Sequence, residues 1–415
     1  MNKKQVYKYF EWAFILLIAY QWVMCVWTCV EDMLILREYW SVYSWAVTDY
    51  LINYQGGFVR RGMIGEVLYQ LQVNYDVNPR YVMLGISAVS FVALTVLLIR
   101  AFYRRGIATY ILPLAICLGM AITTRKDYLM LLLMWLIVYS FVYFKNNSTR
   151  LGVSLLAFTF LLNVHEAAFL FVWPILVLLI MADRKLGNVQ KWVGALLPLV
   201  VFAVLSYFKG DKEMAQAIHD SWIPYMPDRW SIYPWYSIKA IGWSTLPTFK
   251  MHLMTNYFKP FPECSWLYGW MTRPVIYLAV YYLLCNYLLF FKRVSSSGEQ
   301  RDTMIFSRIV LFQFIVLLPL FTILSCDLGR VIFYWTVSSF VIYLIVPMET
   351  LGRLMPVWYC EISDAIYRFV TRIVKPRKWL LCVIMLVITI SPVLLELEVA
   401  IGKSVIGSIV MRIIG

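Results

Sequence analysis

Residues 128–185 read YLMLLLMWLIVYSFVYFKNNSTRLGVSLLAFTFLLNVHEAAFLFVWPILVLLIMADRK. Three apolar runs, 128–144, 151–163 and 166–182, are cut by a basic turn carrying Lys145 and Arg150, by Asn163-Val164-His165-Glu166, and closed by Arg184-Lys185. A helix crosses a hydrocarbon core of roughly 30 Å with about 20 apolar residues, at about 1.5 Å per residue. The outer runs approach that length and the middle one falls short, so 151–182 also reads as one long buried hairpin. Further apolar runs lie at 12–30, 81–99, 107–122, 192–207, 272–291, 305–325, 331–347 and 379–397. The pattern predicts an all-α, polytopic integral membrane protein of about 11 transmembrane helices, a single membrane domain over residues 1–415.

Composition leads to the same class. Of 415 residues, 62% are hydrophobic and 14% charged, and the mean hydropathy is +0.72. A soluble chain needs more polar surface than this to cover its outside, which excludes a cytosolic enzyme, a secreted disulfide scaffold and a disordered protein. The net charge of +14 would suggest nucleic acid in a soluble domain; in a spanning chain it marks the cytoplasmic flanks of helices, and no nucleic-acid partner is expected. No CxxC pair occurs among the 8 cysteines, so no zinc framework is read. The basic N-terminus, MNKKQVYKYF, leads into the 12–30 run without a small-residue cleavage site, as in an uncleaved first helix.

Basic residues set the orientation. With the N-terminus inside, Lys3, Lys4 and Lys8, then Arg100, Arg104 and Arg105, Lys145 and Arg150, Arg184 and Lys185, Lys292 and Arg293, and Arg368 to Lys378 all fall on cytoplasmic segments. The unusual polar clusters then share the external side: a first loop (31–80) with an interfacial helix from Gly62 to Leu71, Arg125-Lys126-Asp127, His165-Glu166, a long loop (208–271), and Asp327-Leu328-Gly329-Arg330. A site built from several loops at one membrane face is the expectation.

Each cluster suggests a chemistry. In Asp49 to Gly62, Gly56-Gly57 permits turns and close approach. Arg60 and Arg61 supply planar forks for phosphate oxygens, and Asp49 is a plausible general base. Arg125 and Lys126 form a second anion-binding element, with Asp127 as a helix-end or arginine partner. Glu166 lies deeper in apolar sequence, where desolvation would raise its pKa towards working pH; His165 needs no such shift. Asp327 and Arg330 can pair across a turn, or Arg330 can face the same anion as Arg60 and Arg61. In the long loop, Trp222, Trp230 and Trp235 offer flat aromatic faces for a sugar, or an interfacial belt. HE lacks a second His four residues on, and the 3 His of the chain are His165, His219 and His252, so no metal site is expected.

This layout resembles the multi-spanning envelope glycosyltransferases of the GT-C type, and the related Wzy-type polysaccharide polymerases and O-antigen ligases. Asp49 matches the position of the GT-C acid in the first external loop. Arg60, Arg61, Arg125 and Arg330 match in kind the external arginines of the polymerases and ligases. The string GGFVRRG is similar to one in membrane proteins of bacterial polysaccharide clusters. DxD and WWDxG-like motifs are absent, as is a Wzy-type pair of repeated arginine loops. The resemblance implies transfer of sugar or oligosaccharide from a polyprenyl-(di)phosphate donor to a glycan acceptor, at the external face of the bacterial inner membrane. The catalytic set would be Asp49, His165 and Glu166. No cofactor is indicated, though Mg²⁺ or Mn²⁺ is compatible with the chemistry. The rival class is a transporter or flippase for a lipid-linked glycan or another anion. Transporters often show paired repeats and midplane polar groups, and neither is visible.

Overall fold

The computed structural model describes residues 9, 12, 44–107, 126–225, 236–243, 245–261, 264–291, 299–325, 327–381 and 384. Fifteen α-helices are described. They are α1 (Ser44–Tyr50), α2 (Gly62–Tyr75), α3 (Pro79–Arg104), α4 (Asp127–Tyr143), α5 (Asn147–Val164), α6 (Ala168–Ala182), α7 (Asn188–Tyr207), α8 (Lys212–Ser221), α9 (Tyr236–Lys239), α10 (Leu246–Leu253), α11 (Gly269–Phe291), α12 (Glu299–Pro319), α13 (Leu328–Ile345), α14 (Met348–Leu354) and α15 (Val357–Ile373). A π-helical turn, Met254–Phe258, follows α10, and another, Leu320–Leu324, continues α12. A small antiparallel ribbon pairs β1 (Pro260–Phe261) with β2 (Cys264–Tyr268).

Among the described residues, five helices are long and apolar enough to cross a membrane: Pro79–Arg104, Asn188–Tyr207, Gly269–Phe291, Gln300–Leu324 and Leu328–Ile345. Of the roughly eleven spans expected, these five meet that length and hydropathy among the described residues. Asp127–Tyr143 and Ala168–Ala182 are apolar but short. Asn147–Val164 has polar residues at both ends, which dilutes its run. The 12–30, 107–122 and 379–397 runs lie mostly outside the described residues.

The chain forms two compact units, each discontinuous in sequence, with cuts passing through α3 and α10. One unit takes residues 25–94 and 122–249. Within it α4 packs on α5, and α5 and α6 on α7. The α4–α5 turn is short because Asn146 caps α5, its side chain accepting from the Ser148 and Thr149 backbone N–H groups at 2.9 and 3.1 Å. Ser140 and Ser154 hydroxyls meet at 3.1 Å between these helices, and the Trp173 indole donates to the Ala195 carbonyl at 3.0 Å. Arg150 and Asp183 form an ion pair. Residues 151–182 form two helices joined by a tight turn: His165 ends α5 in extended backbone and a turn at Glu166-Ala167 starts α6.

The second unit takes residues 1–24, 95–121 and 250–415. Its centre is α13, buried from Val331 to Ile345, as befits a helix that is apolar on every side. Two rings of α12 pack on it: Phe306 stacks on Phe340 and tilts against Tyr343, and Phe314 tilts against Trp335. Arg105 closes its C-terminal end, donating to the carbonyls of Tyr343, Leu344 and Val346 at 3.2, 3.4 and 2.9 Å.

Candidate functional site

The site is assembled in the first unit, where α1 runs into the loop 51–61. The loop is tied down from several sides. Trp222 donates its indole N–H to the Leu51 carbonyl at 2.8 Å, Asn53 donates to the Ser221 hydroxyl at 2.9 Å, and Tyr54 N–H donates to Glu66 of α2 at 2.9 Å. Gly56 lies against α8 so closely that a Cβ there would stand 2.6 Å from the Met214 carbonyl oxygen. Gly57 has φ +116°, a conformation open to glycine and strained for other residues. The loop ends at Arg61, a non-glycine residue with φ 65°, which costs on the order of 1–3 kcal/mol. Its side chain finds compensation in the site.

Glu166 is the hub. Arg61 grips it bidentately, Nε to Oε2 at 2.7 Å and Nη2 to Oε1 at 2.5 Å. Arg60 Nη1 reaches the same Oε1 at 2.9 Å, while Arg60 Nη2 donates to the Ile241 carbonyl at 3.3 Å and its backbone N–H to the Phe208 carbonyl at 2.9 Å. Arg61 also reaches Asp49, Nη1 to Oδ1 at 3.5 Å. Asp49 is shared in turn with Lys126, whose Nζ lies 3.5 Å from Oδ2 and donates to the Asp49 carbonyl at 2.7 Å. The Lys126 ammonium sits 5.4 Å from the centre of the Tyr50 ring, a cation–π contact. In these pairs three cations share two carboxylates, all largely buried.

The charges follow from that geometry. Burial alone would raise the Glu166 carboxyl; the guanidiniums of Arg60 and Arg61 outweigh it and hold the group well below the usual carboxylate range. This corrects the sequence expectation of a raised pKa. Burial pushes Lys126 down against the opposing pull of Asp49, and likewise lowers Arg60 against Glu166. His165 accepts the Ala167 backbone N–H at Nδ1, 3.2 Å away, so the neutral ring carries its proton on Nε2; Nδ1 stands 3.8 Å from Glu166 Oε2.

The structure thus brings together Asp49, Arg60, Arg61, Lys126, His165 and Glu166, with Gly56 and Gly57 shaping the loop. Asp127 is buried in the first turn of α4, where a carboxylate favours the helix dipole. Arg125, Trp230 and Trp235 lie outside the described residues. Trp222 is fully buried, bonded to Leu51 and edge-on to Tyr69 at 5.4 Å. It therefore pins the loop instead of presenting a face to a sugar, which corrects its expected role. Asp327 and Arg330 belong to the second unit. There Asp327 caps α13 by accepting the Arg330 backbone N–H at 3.4 Å, while the Arg330 side chain donates to the Tyr334 hydroxyl at 2.7 Å. The contact between the two residues here is thus a helix cap through the Arg330 backbone.

Sequence reading missed the parts that hold the cluster: the Tyr50 ring, the carbonyls of Phe208 and Ile241, and the α8 contacts. Only the Gly56-Gly57 pair gave a local signal of close packing. Comparison of the chain with family models, curated proteins and solved structures gives no match.

Proposed function

We propose that this protein is a membrane glycosyltransferase or polymerase of cell-envelope polysaccharide assembly, using a polyprenyl-(di)phosphate sugar donor at the external face of a bacterial inner membrane. The observation that carries the proposal is the convergence of Arg60, Arg61 and Lys126 on Asp49 and Glu166. Planar guanidinium forks of this kind match phosphate oxygens bidentately. Guanidiniums held in place before reaction stabilise charge developing on the leaving phosphate without reorganising.

The roles divide by environment. Glu166, kept ionised, is a positioning residue that aligns both guanidinium forks. Asp49, with 3.5 Å ion pairs to Arg61 and Lys126, is the general base or acceptor-orienting group, taking the proton of the attacking sugar hydroxyl at a carboxylate oxygen. His165, protonated on Nε2, is a hydrogen-bond donor to the sugar or phosphate. The second reading is a transporter for a lipid-linked glycan or other anion. Burial of the cluster favours it, because mutually neutralised charges suit a site that opens and closes.

Donor binding and turnover, measured separately, test the proposal. Arg61→Ala is expected to weaken binding of a polyprenyl-diphosphate sugar, and Arg61→Lys to restore little, since an ammonium lacks the fork. Wild-type donor binding in the Arg60→Ala/Arg61→Ala variant would refute the phosphate role. Anion-coupled movement of the lipid between leaflets, without a transferred sugar, would establish the transporter.

A further inference from the structure

Helix α15, in the second unit, has a large exposed surface outside the residues of the proposed reaction. Placed at about 100° per residue, its side chains sort into three sectors. One sector docks on the unit: Tyr359, Ser363, Asp364 and Val370 are buried. Arg308 of α12 holds Asp364 bidentately at 2.9 and 2.7 Å. Tyr359 donates to the Arg308 carbonyl at 2.7 Å, and Tyr367 to Asn286 of α11 at 3.2 Å. These contacts fix the rotation of the helix.

The next sector, roughly 100° wide, is apolar and uncovered. Trp358 is 63% exposed, Phe369 64% and Ile373 66%, with Ile362 and Ile366 also exposed between them. The last sector is charged and exposed, carrying Glu361, Arg368 and Arg372, and the helix runs out into exposed Lys375 and Arg377. Exposed tryptophans, Trp358 and Trp379, stand at either end, as rings do at headgroup level. Tyr282 donating to the Lys375 carbonyl at 3.2 Å and Lys378 over the Phe291 ring at 5.6 Å tie down the basic end.

We infer that α15 lies in the plane of the membrane interface and binds acidic lipid, with its apolar sector in the acyl chains and Arg368, Arg372, Lys375 and Arg377 on anionic headgroups. A helix with an apolar face, a basic face and flanking tryptophans is built for that boundary. Charge complementarity selects the occupant: basic side chains bordering the apolar sector meet phosphates in an acidic leaflet, whereas a second copy docked face to face would oppose like charges. On the orientation read from the sequence, the leaflet is cytoplasmic, where acidic lipids attract such clusters.

The test uses the full chain in nanodiscs with and without phosphatidylglycerol. Spin labels are attached through a genetically encoded ketone side chain, which leaves native cysteines untouched. Labels at 362, 366 and 369 are expected to collide with oxygen and not with aqueous nickel chelate, and labels at 361, 368 and 372 to do the reverse. In detergent, the phosphatidylglycerol concentration that half-shifts the spectrum at 369 should rise about 25-fold in Arg368→Gln/Arg372→Gln, from the contribution of each basic residue near an acidic surface. Labels at 362, 366 and 369 that neither reagent reaches would mean cover by residues 382–415 or by a second copy. Contact with the nickel chelate would mean water. Either result overturns the inference, as does an unchanged phosphatidylglycerol response in the double variant.

Discussion

Glu166→Gln isolates the contribution of the charge hub. The substitution keeps the side-chain shape and removes one negative charge from between two guanidiniums. Contacts of 2.7, 2.5 and 2.9 Å are affected, and one amide N–H₂ must then face N–H donors. The side chains of Arg60, Arg61 and Glu166 are 10%, 18% and 14% exposed, so water screens little of the loss. Breaking a buried pair by removing one partner costs about 3–5 kcal/mol, a factor of roughly 10²–10⁴ in the equilibrium holding the loop. Thermal unfolding in detergent over a pH series reads this. The folded-state pKa of Glu166 lies below its ordinary value, so its stabilisation is present above the usual carboxylate range and lost as pH falls through the lowered value. Wild type should therefore be more stable than Glu166→Gln at pH 7, with the difference closing only in strong acid. Equal midpoints at pH 7 together with equal acid profiles would refute the hub.

Other expectations follow from the same geometry. Gly56→Ala places a Cβ against the Met214 backbone and should destabilise by about 1–3 kcal/mol, read as a lower unfolding midpoint. Trp222→Ala should cost about 3–5 kcal/mol and loosen the first loop, seen as faster amide exchange over residues 51–61, with no selective loss of sugar affinity. Cysteines introduced near Gly57, Ser221 and Gly329 should react with an impermeant thiol reagent in intact cells, and those near Ser148, Ser296 and Glu361 should not. The opposite labelling would overturn the one-sided site.

The eight long apolar runs that fall on described residues, from 81–99 to 331–347, all form helices, because continuous apolar sequence leaves the backbone little alternative in a membrane. The helix expected from Gly62 to Leu71 runs from Gly62 to Tyr75. Helix α15 went unread although its apolar residues recur every three or four positions, the period of an amphipathic helix, because charges interrupt it and only unbroken apolar runs were followed. Residue types in the site were visible one by one, yet their pairing was not. Glu166 meets Arg61 across a separation of 105 residues, and no local pattern encodes that. The error over its pKa has the same origin, since sequence shows the burial of a carboxylate but not the cations that fold onto it. Trp222 misled for a related reason: an aromatic loop looks alike whether its rings bind ligand or pin backbone.

The most direct measurement of the central claim is a reconstituted reaction. Purified protein in liposomes is given a polyprenyl-diphosphate-linked oligosaccharide, and product length is read on a gel. The account predicts sugar transfer by wild type, no transfer by Arg60→Ala/Arg61→Ala, and turnover lowered on the order of 10²–10⁴ in Asp49→Asn with donor binding retained. Transfer that survives in the double arginine variant, or near-wild-type turnover in Asp49→Asn, would contradict it.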